Sequence, residues 1–287
     1  MTEEFKSEVK PDWCASCGDF GVLNALGKAC SELALQPKDV LTVSGIGCSS
    51  NLPGFFNSYG IHSLHGRAMA VASGAKLANP ELTVIVTGGD GDGYGIGIGH
   101  FIHAMRRNLD VTYIVMNNQI YGLTTGQASP TTELGQKTKS TPEGDVERPI
   151  NPLALALVSG ATFVARAFSG APNHMAETMK QAIQHKGFSL VDCFSPCVTF
   201  NHHNTYQWFR PRVYRLEGSG HVPSDYKAAL EKAHEGSEKV PIGVFYREEG
   251  RPTYEQVDPT LSRCGAPVKQ RLGLTPEERK ELLESFL

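Results

Sequence analysis

Apolar runs of strand length recur along the chain at Val40 to Ser44, Leu82 to Thr87, Val111 to Met116, Ala161 to Phe168, Ser189 to Phe194 and Val240 to Tyr246. Between them, apolar residues return at helical spacing over Asp19 to Leu33, His65 to Leu77, Ile98 to Arg107, Pro172 to His185 and Pro223 to His234. This alternation predicts an α/β fold: a largely parallel sheet flanked by crossover helices on both faces. The stretch Gln127 to Pro152 is rich in Ser, Thr, Pro and Gly with few large apolar groups, which predicts an ordered loop or lid. From Gly250 the pattern dissolves into a Pro-containing extension that closes on a short charged helix, Pro276 to Phe286. The expected organisation is one domain over 1–250 and a C-terminal extension over 251–287.

Composition narrows the class. With 287 residues, 40% hydrophobic and 20% charged, the chain has ordinary globular make-up, which excludes disordered and collagen-like classes. The 27 basic and 30 acidic side chains leave a formal charge of −3, so no basic field is present to hold nucleic acid or an anionic membrane. Apolar runs around Val84 and Leu153 are too short to span a bilayer, and Met1 to Lys10 has no apolar core. A soluble, cytoplasmic protein is expected. The seven cysteines are odd in number and unevenly spaced, unlike a secreted disulfide framework, and direct attention to metal or redox chemistry.

In an open parallel sheet, ligands bind beyond the carboxyl ends of the strands, where loops meet helix N-termini. Four strand ends here carry unusual residues: Ser44-Gly45-Ile46-Gly47-Cys48, Gly88-Gly89-Asp90-Gly91-Asp92, Asn117-Asn118 and Cys197. A carboxylate and an amide oxygen at adjacent strand ends suit Mg²⁺, which prefers oxygen ligands and shares its shell with phosphate. The flanking glycines let backbone approach a diphosphate closely. A dinucleotide fingerprint does not fit, because its third glycine position falls on Ile96 or Ile98 in the two available registers. Turn glycines with a capping Asp remain the plain alternative.

Together with Tyr121-Gly122-Leu123-Thr124, the Gly-Asp-Gly and Asn-Asn pair resembles the thiamine-diphosphate motif of thiamine-dependent enzymes. That resemblance implies Mg²⁺ held by Asp90, the Asn118 side chain and the Ile120 carbonyl. It also implies a cofactor lined by Gly91, Asp92, Gly122 and Leu123.

A second constellation is Cys14-Ala15-Ser16-Cys17, with Cys48 in the glycine loop and Cys197 far downstream. Four such thiolates can close a structural zinc site or an iron–sulfur cluster, and the Cys-x-x-Cys pair alone can serve as a redox dithiol. Composition does not choose among them. Cys48 sits in the loop expected to touch the thiamine cofactor, so a centre that uses it lies where electrons from an oxidative decarboxylation would be taken up.

At this point the chain resembles the beta subunits of 2-oxoacid:ferredoxin oxidoreductases. The matching text is Trp13-Cys-Ala-Ser-Cys-Gly-Asp-Phe20, Ser44-Gly-Ile-Gly-Cys-Ser49, Leu64-His-Gly-Arg-Ala68, Gly88-Gly-Asp-Gly-Asp92, Arg106-Arg-Asn108 and Asn117-Asn-Gln-Ile-Tyr-Gly-Leu-Thr124. It is strong from Val9 to Cys197 and weak after Gly250. The family implies a thiamine-diphosphate-binding fold, of which this chain is the diphosphate-binding half. It also implies a 4Fe-4S cluster on Cys14, Cys17, Cys48 and Cys197, with Ile46, Gly47, Cys48, Ser49 and a catalytic His65 at the cofactor. The chain has no segment for a pyrimidine-binding domain or the glutamate that activates thiamine. A larger alpha (or alpha-gamma) subunit is expected to bring both, as a dimer of heterodimers. Ferredoxin, a 2-oxo acid and coenzyme A complete the expected partners.

The opening motif looks more like 2-oxoglutarate or broad-range members than pyruvate enzymes, so 2-oxoglutarate is the expected substrate, with pyruvate or broad-range use as the alternative. Its distal carboxylate needs donors; Ser49, Ser50 and Asn51 are neutral candidates, and the main cation is expected on the partner. Two other classes stand as rivals: a non-oxidative thiamine enzyme with idle cysteines, and a zinc-stabilised α/β interaction module. Cys30, Cys193 and Cys264 read as packing or incidental residues. Arg106 and Arg107 read as complements to a helix dipole. His202 and His203 read as a surface or interface pair, and Tyr206, Trp208, Phe209 and Tyr214 as interface packing.

Overall fold

The apolar runs fold into strands that are buried along nearly their whole length, as a sheet covered on both faces requires. The computed structural model describes residues 3–236, 238–271 and 273–286. In chain order the elements are α1 (Asp19–Glu32), β1 (Val40–Ser44), α2 (Leu52–Phe55), β2 (Tyr59–His62), α3 (Ala68–Ala78), β3 (Thr83–Gly89), α4 (Ile98–Arg107) and β4 (Thr112–Asn117). There follow α5 (Pro152–Val158), β5 (Phe163–Phe168), α6 (Pro172–Gln184), β6 (Ser189–Phe194), α7 (Tyr206–Phe209), β7 (Val213–Arg215), α8 (Tyr226–Ala233) and β8 (Val240–Arg247). The extension holds α9 (Tyr254–Val257), α10 (Pro259–Cys264) and α11 (Pro276–Glu284).

These strands form one sheet in the order β2-β1-β3-β4-β6-β5-β8-β7. The first six in that order run parallel, whereas β8 joins β5 antiparallel and carries β7 parallel to itself. An apolar run reads the same in either direction, so only the tertiary pairing decides the sense of β8. Successive residues of a strand serve opposite faces. Val84, Val86, Tyr113 and Val115 pack with α3, α4, α5 and α8 on one side. Ile85, Ile114, Met116 and Val191 pack with α1 and α6 on the other. Each such large side chain contributes roughly 1.5–3 kcal/mol through burial.

Several expectations shift. His65 and Arg67 flank Gly66, which has φ +69°, so this segment is a turn and α3 starts only at Ala68. Asp225 caps α8 by accepting from the N–H groups of Lys227 and Ala228, which moves its start past Pro223. The edge strands β2 and β7 are too short to show an apolar period, and α5 is a seven-residue apolar run with no polar face to mark a helix. Residues 118–151 contain no helix or regular strand, in line with an ordered loop. Phe209 is buried in a small core with Phe168, Phe194, Val240 and Ile242, with Tyr206 and Trp208 packed on it. Tyr214 packs on the larger core. Phe209 is thus interior, while Tyr206, Trp208 and Tyr214 are half-buried, packed on the chain's own cores with part of their surface open.

The start of the extension is fastened at the amino ends of the central strands, away from the loops with unusual residues. Tyr254 N–H donates to Asn108 O (3.3 Å), Glu255 accepts from Asp110 N–H (3.1 Å) and Arg251 donates to Gly160 O (2.7 Å). Helix α11 buries no residue. No helix among the described residues is long and apolar enough to cross a membrane.

Candidate active site

Strands β1, β3, β4 and β6, whose carboxyl ends carry the unusual residues, are immediate neighbours in the sheet. The chain moves from β1 to β2 on one side and returns to β3 on the other, so β1 and β3 flank a topological switch point, where open α/β sheets bind ligands. Asp92 ties this crevice together. Its buried Oδ1 accepts from the N–H of Ile46 (2.9 Å), the N–H of Gly66 (2.8 Å) and Nδ1 of His65 (2.8 Å), while its Oδ2 has no partner. A Cβ on Gly45 would lie 2.0 Å from that Oδ2, so only glycine fits there.

Beside it, Asp90 is buried between β3 and the long loop. Its Oδ2 accepts from Ser129 Oγ (2.5 Å) and Thr131 Oγ1 (2.6 Å). Burial pushes its carboxyl up to about 6, and these hydroxyls oppose that rise only in part. The Asn118 side chain accepts from Ile120 N–H (3.1 Å), forming a tight turn that presents the Asn118 amide and the Ile120 backbone together. Tyr121 donates to Gly91 O (3.1 Å), and a Cβ on Gly91 would lie 2.1 Å from its ring. An all-oxygen donor set around a buried, destabilised carboxylate suits a hard divalent cation, which would offset that burial.

One cavity of about 100 Å³ is lined by Ile46, Gly47, Cys48, Ser49, His65, Gly91, Asp92, Gly122 and Leu123, together with Asp90, Asn118 and Ile120. The twelve residues expected at the thiamine and Mg²⁺ sites therefore meet in one place. Gly89, Tyr121 and Thr124 line it as well. Of the three candidate donors, only Ser49 does. Ser50 is fully buried with its hydroxyl unpartnered, and Asn51 turns to Asp12 (3.4 Å).

The cysteines surround a second cavity of about 220 Å³, lined by Cys14, Cys17, Cys48 and Cys197 and by no lysine or arginine. Local contacts close the sequence distance. Cys17 N–H donates to Cys14 O (3.0 Å) across a turn in which Ser16 has φ +65°. Gly18 N–H donates to Pro196 O (3.2 Å), and Ser195 Oγ donates to the buried Asp19 (2.5 Å), which bolts this turn to the end of β6. Trp13 Nε1 donates to Cys48 O (2.7 Å). Burial, then the Asp19 charge, pushes Cys48 up to about 11; burial also raises Cys17 and Cys197. Among the described residues no three His, Cys, Asp or Glu side chains converge on a single ion position. Cys30 and Cys193 are buried in the core and Cys264 is exposed, away from both cavities.

The two cavities share a wall made of Cys48, Asn118, Gly122 and Leu123. Sequence reasoning did not single out Ser129 and Thr131: they lie about 40 residues beyond Asp90, and only the Ser/Thr richness of the loop hinted at them. His202 and His203 are exposed, with His203 on Glu133 (3.1 Å).

Comparison with known proteins agrees with this geometry. Residues 45–193 match the family described as thiamine pyrophosphate enzyme, C-terminal TPP binding domain. Residues 197–263 match the family described as the C-terminal part of the beta subunits of pyruvate ferredoxin oxidoreductase. The 2-oxoacid:ferredoxin oxidoreductase 1 subunit beta of Aeropyrum pernix is 45% identical, over 99% of this chain and 96% of that protein. The 2-oxoglutarate oxidoreductase subunit KorB of Mycobacterium tuberculosis is 47% identical over 69% of this chain and 53% of that protein. A solved structure of 2-oxoglutarate:ferredoxin oxidoreductase from Magnetococcus marinus, with 2-oxoglutarate, coenzyme A and succinyl-CoA bound, superposes with a TM-score of 0.90 at 42% identity, covering 98% of this chain and 94% of that one. The chain belongs to the beta subunits of 2-oxoacid:ferredoxin oxidoreductases, thiamine-dependent enzymes built from more than one kind of subunit.

Proposed function

We propose that this chain is the thiamine- and cluster-bearing subunit of a cytoplasmic 2-oxoglutarate:ferredoxin oxidoreductase. The net reaction converts a 2-oxo acid and coenzyme A to acyl-CoA, CO₂ and one proton, and two electrons pass to ferredoxin; the reverse carboxylation uses the same groups. The observation that carries this reading is the wall shared by the two cavities, which sets an oxygen-lined cation site directly against a four-cysteine site.

Asp90, the Asn118 side chain and the Ile120 carbonyl hold Mg²⁺ in this reading, and Ile46, Gly47, Cys48, Ser49, His65, Gly91, Asp92, Gly122 and Leu123 hold thiamine diphosphate. That cofactor, when bound, supplies the carbon nucleophile and electron sink for decarboxylation. His65 donates its Nδ1–H to Asp92, which fixes the ring and leaves Nε2 to accept or return a proton in the cavity. Cys14, Cys17, Cys48 and Cys197 hold a 4Fe-4S cluster, which supplies one-electron transfer. One feature supports a cluster over the rivals: the four-cysteine cavity abuts the cofactor cavity, where a redox-inert site has no reason to be.

Ser49 is this chain's one neutral donor among the three expected, so the cation for the distal carboxylate belongs to the partner subunit, with the pyrimidine-binding domain and its glutamate. Residues 1–250 carry both sites in this reading, and 251–287 none. The 2-oxoglutarate choice draws support from the relatives named for it, while the broad family name of the Aeropyrum pernix relative favours wider use as a second reading. Anaerobic purification of the assembled complex should yield a brown protein with about four iron atoms per beta chain; a colourless protein containing zinc overturns the cluster. Specificity constants for 2-oxoglutarate, pyruvate and 2-oxobutyrate then decide the substrate, and a clear preference for pyruvate refutes that choice alone.

A further inference from the structure

Behind Asp90 runs a line of buried polar side chains that the reaction above does not use. It crosses four neighbouring strands, β3, β4, β6 and β5, near their carboxyl ends. Thr131 Oγ1 lies 2.6 Å from Asp90 Oδ2 and 3.0 Å from Asn117 Oδ1. Asn117 Nδ2 donates to Asp192 Oδ1 (3.1 Å), which also accepts from Tyr94 OH (3.0 Å). Arg166 Nε donates to Asp192 Oδ2 (3.3 Å), and its guanidinium lies 4.8 Å from the Phe194 ring centroid. Each of these residues is less than a tenth exposed.

Donor and acceptor rules give the line a direction. A carboxylate only accepts, so Asn117 must turn its NH₂ to Asp192 and its oxygen to Thr131. The single Thr131 proton then faces both Asn117 Oδ1 and Asp90 Oδ2, and Ser129 Oγ (2.5 Å) supplies a second donor to Asp90. Thr131 can give that proton to only one of them at a time, so its hydroxyl sits between the Asp90 carboxylate and an amide whose own orientation is set by Asp192. Stability alone does not account for the Arg166–Asp192 pair, because a buried ion pair seldom stabilises more than apolar residues of the same volume. Fixing a geometry is the role that this placement serves.

We propose that Thr131 and Asp192 are positioning residues for the divalent cation, holding the Asp90 carboxylate in its ligating orientation from along the same face of the sheet. The inference rests on Asp90 being a cation ligand. The test uses the complex assembled with its partner subunit and thiamine diphosphate, with Mn²⁺ as probe and the free ion read by electron paramagnetic resonance. Thr131→Val, which keeps the shape and removes the hydroxyl, should weaken Mn²⁺ binding by about tenfold or more, as loss of an outer-shell partner does. Thr131→Ser should restore binding, and Asp192→Asn should weaken it like Thr131→Val; iron content should not change. If Asp192→Asn does not fold, the Thr131 pair decides. Mn²⁺ binding at the parent level in Thr131→Val, with binding lost in Asp90→Asn, overturns the relay and leaves the cation site standing. Equal weakening in Thr131→Ser and Thr131→Val also overturns it, because a packing role would not be rescued by the hydroxyl. Parent-level binding in Asp90→Asn overturns both the relay and the reading beneath it.

Discussion

Gly122 stands where the two candidate sites meet, and a single methyl there probes both. A Cβ would lie 3.5 Å from Cys197 Sγ and 3.8 Å from Cys48 Sγ, ordinary contact for the protein but a methyl set against two of the sulfurs that a cluster would use. Gly122→Ala should therefore fold with an unchanged melting temperature and carry several-fold less iron, as measured by iron assay and electron paramagnetic resonance. Asp92→Ala acts differently. It strips the acceptor from the N–H groups of Ile46 and Gly66, at about 1–3 kcal/mol for each left unpaired, and a lower denaturant midpoint should show it. Cys193 and Cys197 are four positions apart with opposite surroundings: the first is wholly buried in the core, the second lines the cysteine cavity. Cys197→Ser should lose the cluster signal of the reduced protein and Cys193→Ser should keep it. That distinction was legible in advance, because a residue just past a strand end reaches a ligand and one inside the strand does not.

Elements respond to pH through His185, the residue that follows α6. Its Nε2 lies 2.8 Å from Thr162 Oγ1, whose proton goes to Asn108 Oδ1 (2.8 Å), so the imidazole donates from Nε2. Its Nδ1 is buried without a partner, and burial holds the pKa below the usual histidine value. The unfolded chain therefore takes up a proton before the folded one does. The stability linked to His185 is complete above the ordinary value of about 6.5 and falls as pH drops through that value toward the folded pKa. The buried Asp90 and Asp19 carboxyls, pushed up to about 6, act the other way over the same window, so the His185 part is read by difference: on going from pH 7 to pH 5, His185→Phe should gain melting temperature relative to the parent. The strands and longer helices were legible because burial on a regular element imposes a period. Edge strand β2, exposed throughout, has no such constraint, and the turn at His65 depends on Gly66 meeting Gly97, which is a tertiary contact.

For the whole molecule, the exposed apolar side chains near the Asp90 cavity are the informative surface. Leu123 of the cavity lining is 55% exposed, and Leu64 (73%) and Ile96 (56%) stand beside its His65–Gly66 turn, an exposed apolar cluster of the kind that marks an interaction surface. A subunit that completes the site would cover it. The isolated chain, supplied with thiamine diphosphate, Mg²⁺ and an electron acceptor, should not oxidise any 2-oxo acid, and adding the partner subunit should restore turnover. Activity of the chain alone would show that the partner is not needed for turnover.

The order of apolar and polar residues was enough by itself to specify a sheet with helices on both faces. Strand-end glycines, carboxylates, amides and cysteines were enough to single out the loops that line the two cavities, because each of those residue types answers a local demand of backbone or ligand. Tertiary structure alone decided the reversed sense of β8, the inward packing of Tyr206, Trp208 and Phe209, and the grip of Ser129 and Thr131 on Asp90. The physical reason is the same in each case. Strand direction, side-chain partners and hydrogen-bond donors drawn from distant loops are set by which surfaces meet when the chain closes, and no local pattern of residues encodes that meeting.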